Sequence, residues 1–231
     1  EQPLGGELLF TRPVVEYLVS ADDVQAQSDW GIDTLYTFAT VRQGFSMFET
    51  YIPQGKIHAL YGSLTDLQTM LIECFAAVQS LRERPVKATT PHQVEKRTEV
   101  SEEVKSKIGY DVEATIQLLS AELTSRQMEL STVLPTSVRD GLLAAQRYPR
   151  FSFMDDRAWF ETYAVMLDHF TKDDADWEAL LFRLWITRVL GYTINTALRG
   201  YDHALAHLNR MILDYREAAR QPQNVGDTPG G

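Results

Sequence analysis

The sequence predicts an all-α protein, a multi-helix bundle of six to eight helices opening with an N-terminal antiparallel helical hairpin. Three observations lead there. Leu60, Leu64, Leu67, Leu71, Cys74, Val78 and Leu81 alternate four and three residues apart, an unbroken heptad seam. Between Trp177 and Ile194, apolar residues lie around the whole circumference of one helix, which therefore belongs at the centre of a bundle. In residues 30–52, where Thr, Tyr and Phe would suit strands, no two-residue alternation is sustained, so helix is the preferred reading and strands the competing one.

Taken in order, residues 1–12 read as extended, and Pro13 suits the first turn of a short helix through PVVEYLVS. Ser28 and Asp29 are cap-type residues ahead of WGIDTLYTFATVRQGFSMFETYI, where Leu35, Phe38, Phe45, Phe48 and Ile52 keep helical spacing. The breaker PQG at 53–55 ends that helix, and so short a turn sends the seam-bearing helix back antiparallel to it. Residues 85–100 carry two prolines and three threonines without periodicity and read as a linker. The chain thus divides into an N-terminal hairpin (1–84), the linker, a C-terminal bundle (101–220) and a frayed tail (221–231).

In the second half, Ser101 caps a helix whose apolar stripe runs through Ile108, Val112, Ile116, Leu119 and Leu123, and Pro135 marks a break. Two later helices start at Asp155 and Asp173. The last runs from about Tyr201 to Ala219, its apolar face drawn by Tyr201, Ala204, Leu205, Leu208, Ile212 and Tyr215.

Charge narrows the partners. A net charge of -10 and a pI near 5.0 repel phosphate backbones, so nucleic acid is not expected as a partner. The basic-leaning stretch from Arg82 to Lys107 mixes seven basic with five acidic residues and reads as solvated linker. Cys74 is the only cysteine, which excludes an internal disulfide and favours a reducing, cytoplasmic setting. No charged start followed by an apolar stretch suggests a leader. Leu180–Leu198 has the length of a membrane span, but Arg183 and Arg188 would each cost about 2.5 to 3.5 kcal/mol near the bilayer centre, so no membrane span is expected. Pairing with an acid from a neighbouring helix is the expected fate of both arginines, and a pocket for an apolar ligand is the alternative.

Four groups could carry chemistry. His203 and His207, four apart on a helix, could hold a divalent metal if Asp168 or His169 supplied a further ligand. On the helical wheel both imidazoles fall on a stripe with Arg210 and Asp214, so a polar surface is the preferred reading and no cofactor is expected. Asp155, Asp156 and Glu161, and Asp173, Asp174, Asp176 and Glu178, have the carboxylate count of a Mg²⁺ site but stand at helix starts, where aspartate caps free N–H groups. Cys74 sits on the seam and reads as an inert thiol. Arg147, Tyr148, Arg150, Phe151, Phe153, Arg157 and Trp159 have the composition of an interface anchor.

No glycine-rich phosphate loop, nucleophile elbow or Cys-x-x-Cys pair is present. The expected function is therefore non-enzymatic: protein–protein interaction, as an adaptor, scaffold or assembly subunit binding a protein partner or itself. The alternative is a helical metal-binding protein or metalloenzyme built on the His-x-x-x-His pair.

Overall fold

The structure, a computed structural model, describes residues 8–22, 24–25, 29–48, 64–82, 87, 111–146 and 152–220. Among these every regular element is helical, as the periodicities predict. The order is α1 (Arg12–Ser20), α2 (Ile32–Arg42), α3 (Leu64–Leu81), α4 (Val112–Ser120), α5 (Ser125–Leu130), a 3-10 turn (Ser131–Val133), α6 (Thr136–Ala145), α7 (Asp156–His169), α8 (Ala175–Asn195), a second 3-10 turn (Ala197–Arg199) and α9 (Tyr201–Arg220).

Helix α3 organises the core because it is apolar on more than its seam. Ile72 and Phe75 join Met166, Phe170, Leu180 and Leu184 in the largest buried cluster. Ala77 and Leu81 pack with Val14, Leu18, Leu35 and Ala39 of α1 and α2 in a second. Leu67 meets Leu119, Phe182, Ile186 and Leu190 in a third. The heptad seam therefore finds its partners inside the chain, on several helices rather than one. Its first residue, Leu60, lies outside the described residues.

The predicted antiparallel hairpin is corrected in two respects. Helix α2 ends at Arg42, where Gly44 turns the chain with φ of 88°, and residues 45–48 are not helical, so the helix does not continue to Ile52. The pairing is also reversed. The Cys74 thiol contacts the carbonyl of Trp30 near the start of α2, while at its end Arg42 donates to the carbonyl of Arg82 at 3.0 Å and accepts from the Lys87 amide at 2.9 Å. Helix α2 thus runs alongside the second half of α3 in the same sense. The physical reason is the connection: α2 stops at 42 and α3 is described from 64, far more chain than a tight hairpin turn and enough to return before α3 begins.

Helix α8 is the central helix that its composition requires: Leu180, Leu184, Ile186 and Leu190 have no exposed surface. Its start is fixed by Asp174, which accepts from the amides of Asp176 and Trp177 at 3.0 and 3.3 Å. Asp155 caps α7 in the same way, accepting from Ala158 N at 2.8 Å. The acidic clusters thus serve as helix caps. Pro135 is the cap of α6, at the predicted break. The stripe predicted for α4 is rotated: Leu119 and Leu123 are buried, but so is Thr115, while Val112 and Ile116 are exposed. Thr115 tolerates burial because its hydroxyl donates to the Asp111 carbonyl at 2.7 Å.

The two arginines of α8 have different fates. Arg188 pairs with Asp156 of α7. Arg183 is buried and meets the carbonyl of Ala121 at 2.8 Å, and burial lowers its pKa. No helix among the described residues is long and apolar enough to cross a membrane.

Candidate functional site

A hollow of about 360 Å³, open to solvent, is lined by Asp29, Trp30, Ile32 and Asp33 at the entry to α2. Local sequence explains its shape. Gly31 begins the helix with helical backbone, so Asp29 and Trp30 precede it while Ile32 and Asp33 form its first turn. Asp33 there stands where the helix dipole favours a negative charge. The amide of Ile32 donates to the Asp29 carbonyl at 3.1 Å, closing the turn that brings the two carboxylates beside the indole. Trp30 remains 53% exposed, unusual for so large an apolar side chain.

Helix α3 backs the Trp30 wall. The Cys74 Sγ stands 3.7 Å from the Trp30 carbonyl oxygen. Burial raises the thiol's pKa; a hydrogen bond with Thr34 pulls it down, and the charges of Asp33 and Glu73 push it up again. Glu73 pairs with Lys172 at 3.1 Å, and Gln79 donates to the carbonyls of Leu167 and Phe170 at 3.1 and 2.8 Å. The helix that contacts the Trp30 carbonyl is thus tied to α7 and to the segment that follows it.

None of the four lining residues was singled out as a site in the sequence, where Asp29 stood only as a cap. The usable signal was local: an indole flanked by carboxylates one position before it and three after.

The residues singled out for metal are not brought together. His207 is half-buried against Tyr192, with its Nε2 3.3 Å from Asp156 Oδ1. His203 lies one turn earlier on α9. Asp168 is bonded to Arg82, and His169 is exposed at the end of α7. Among the described residues no three of His, Cys, Asp or Glu group closely enough to hold an ion.

The predicted face of α9 is also corrected. Of that face Tyr215 does turn inward, but it is joined there by His207 and Met211, Met211 toward Arg188, while Tyr201, Leu205, Leu208 and Ile212 are exposed. The cause is the Arg188–Asp156 pair, which needs polar company: Tyr215 donates to the Asp156 carbonyl at 2.9 Å and stacks on Phe160.

Of the interface candidates, Arg147, Tyr148, Arg150 and Phe151 lie outside the described residues. Phe153 and Trp159 pack against the main core, Trp159 beside Tyr163, and Arg157 is exposed and paired with Glu161 at 2.8 Å.

Comparison with known proteins decides among these readings. Residues 1–80 match the family description "Mannosylglycerate synthase, GT domain", and residues 104–212 match "Mannosylglycerate synthase C-terminal domain". The chain is a relative of the mannosylglycerate synthases. It is 54% identical over 219 residues to the mannosylglycerate synthase of Rhodothermus marinus, covering 95% of this chain and 55% of that protein. It is 49% identical over 214 residues to that of Selaginella moellendorffii, covering 92% and 51%. The chain therefore spans about half the length of the curated relatives it matches. Relatives that are mannosylglycerate synthases overturn the expectation of a non-enzymatic adaptor, scaffold or assembly subunit. That expectation rested on the heptad seam, the aromatic–arginine segment and the missing short motifs, and a fold can carry catalysis without such a motif.

Proposed function

We propose that the chain forms part of a glycosyltransferase that joins a mannosyl group to glycerate, and that the hollow at Trp30 receives the mannosyl ring. The observation that carries this reading is the exposed indole between Asp29 and Asp33, inside the segment that matches a mannosylglycerate synthase GT domain. A pyranose presents an apolar C–H face and a rim of hydroxyls. An aromatic plane takes the first, and carboxylates accept hydrogen bonds from the second. The same two carboxylates repel an anion, so glycerate, itself a carboxylate, is directed elsewhere.

The geometry supplies binding and orientation. Holding the sugar ring by one face and by its hydroxyls fixes its anomeric carbon relative to an incoming hydroxyl, the positioning on which a transfer reaction depends. The test is titration with mannose followed by tryptophan fluorescence, in the parent protein and in Trp30→Ala and Asp33→Asn. Saturable quenching that Trp30→Ala abolishes and Asp33→Asn weakens supports the reading. Equal affinity in all three proteins would overturn it.

A further inference from the structure

A threonine inside an α-helix can spend its hydroxyl on the carbonyl four residues back. Thr69, Thr115, Thr187 and Thr193 do so, donating to the carbonyls of Thr65, Asp111, Arg183 and Val189 at 3.1, 2.7, 2.7 and 2.9 Å. Helix α2 departs from that habit. Its threonines Thr34, Thr37 and Thr40 are all buried, and the hydroxyls of Thr37 and Thr40 have no hydrogen-bond partner among the described residues.

Thr34 has its partner on another helix. The carbonyl four residues before it is that of Trp30, but the Cys74 thiol of α3 stands 3.7 Å from this oxygen. The Thr34 hydroxyl bonds to the same sulfur. The thiol is thus inserted between a hydroxyl and the carbonyl which that hydroxyl would otherwise take. The hydroxyl donates to the sulfur, and the S–H donates to the Trp30 oxygen. In such a chain each bond polarises the next, so the first bond strengthens the second. With Thr34 only 4% exposed, water cannot take its place. The first turn of α2 is fastened in this way to a core helix, directly behind the exposed indole of Trp30.

We propose that Thr34 is a positioning residue for the hollow: its hydroxyl holds the Cys74 thiol on the Trp30 carbonyl and so sets the indole against the sugar ring. The inference rests on the reading of the hollow as a mannosyl site. It adds to that site a residue outside the hollow's lining, acting only through its neighbours.

The experiment is titration of the full chain with mannose, followed by tryptophan fluorescence, beside a thermal melt and iodoacetamide labelling of Cys74 across a range of pH. Thr34→Val is nearly isosteric and has no donor. Mannose binding should weaken about threefold, and the labelling profile should move to higher pH because the hydroxyl no longer favours the thiolate. Thr34→Ser keeps the donor and restores both. Thr34→Val/Cys74→Ala binds no more weakly than Cys74→Ala alone, since the hydroxyl acts through the thiol. A Thr34→Val protein that melts earlier but keeps the parent's affinity and labelling profile overturns the proposal, because Thr34 then only packs. So does a double variant weaker than both singles. If mannose binding survives in Trp30→Ala, the sugar reading falls and takes this inference with it; if Trp30→Ala abolishes binding while Thr34→Val leaves it unchanged, the inference falls alone.

Discussion

The thiol of Cys74, on α3, lies 3.7 Å from the carbonyl oxygen of Trp30, so a helix of the core touches the wall of the open hollow at α2. Replacing Cys74 with Ala removes the donor without adding bulk. Mannose affinity is expected to fall about threefold, within the lower range of a single hydrogen bond, and Cys74→Ser should retain it. Fluorescence titration beside a thermal melt separates the loss of binding from any loss of stability.

The same thiol makes a pH prediction. Its folded pKa is raised, chiefly by burial, so the contribution is fully present below the ordinary thiol value and is lost as pH rises through the higher folded one. Stability in Cys74→Ala should therefore decline less steeply above about pH 8.5 than in the parent. Iodoacetamide should label the folded chain more slowly than the denatured chain at pH 8. Equal rates would contradict the raised value.

Gln79 offers two N–H donors' worth of capping to α7 through a single amide, meeting the carbonyls of Leu167 and Phe170. Gln79→Glu is nearly isosteric but has no donor and sets a negative charge against the negative end of a helix. The expected cost is about 2 kcal/mol, read as a shift in the urea midpoint with unchanged slope.

Gly141 lies within α6 with the ring of Phe153 directly against it; an added Cβ would stand 2.7 Å from the Phe153 Cβ and closer still to the ring. Gly141→Ala would gain up to about 1 kcal/mol of helix propensity, yet overpacking of about 1 to 3 kcal/mol outweighs it. A lowered melting temperature, partly recovered by Phe153→Leu, is the expected result.

His207 and His203 are one turn apart on α9 but differ in role. His207→Ala removes a half-buried ring packed on Tyr192 and close to Asp156, at an expected cost of about 1 to 2 kcal/mol. His203 is also half-buried but has, among the described residues, no ring contact or ion pair like those of His207, so His203→Ala should cost less, about 0.5 kcal/mol. Denaturant melts of the two variants make the comparison.

How much of this was legible in the sequence varies with the kind of information needed. The centrality of α8 follows from its composition alone, since leucine, isoleucine and tryptophan on all sides leave a helix no wet face. Its caps were legible for the same local reason. The face of α9 was legible only at Tyr215: a wheel shows a broad apolar arc but cannot show that an ion pair on other helices, Arg188 with Asp156, draws His207 and Met211 inward and leaves Leu208 outside. The direction of α2 depended on the length of its connection to α3, and PQG at 53–55 looked like the whole turn. The hollow at Trp30 was missed because its parts lie within five residues, a span where capping explains an aspartate as readily as recognition does.

Because α3 lines all three buried clusters, the segments matching the GT domain and the C-terminal domain share one interior surface. Gene shuffling between distant relatives would have to respect that. A crossover inside residues 64–81 hands a foreign set of side chains to every cluster at once, whereas one placed after Leu81 transmits the lining intact to the GT side alone. Chimeras of this kind are thus viable or insoluble according to the position of the joint, and the two segments are inherited as a coadapted pair.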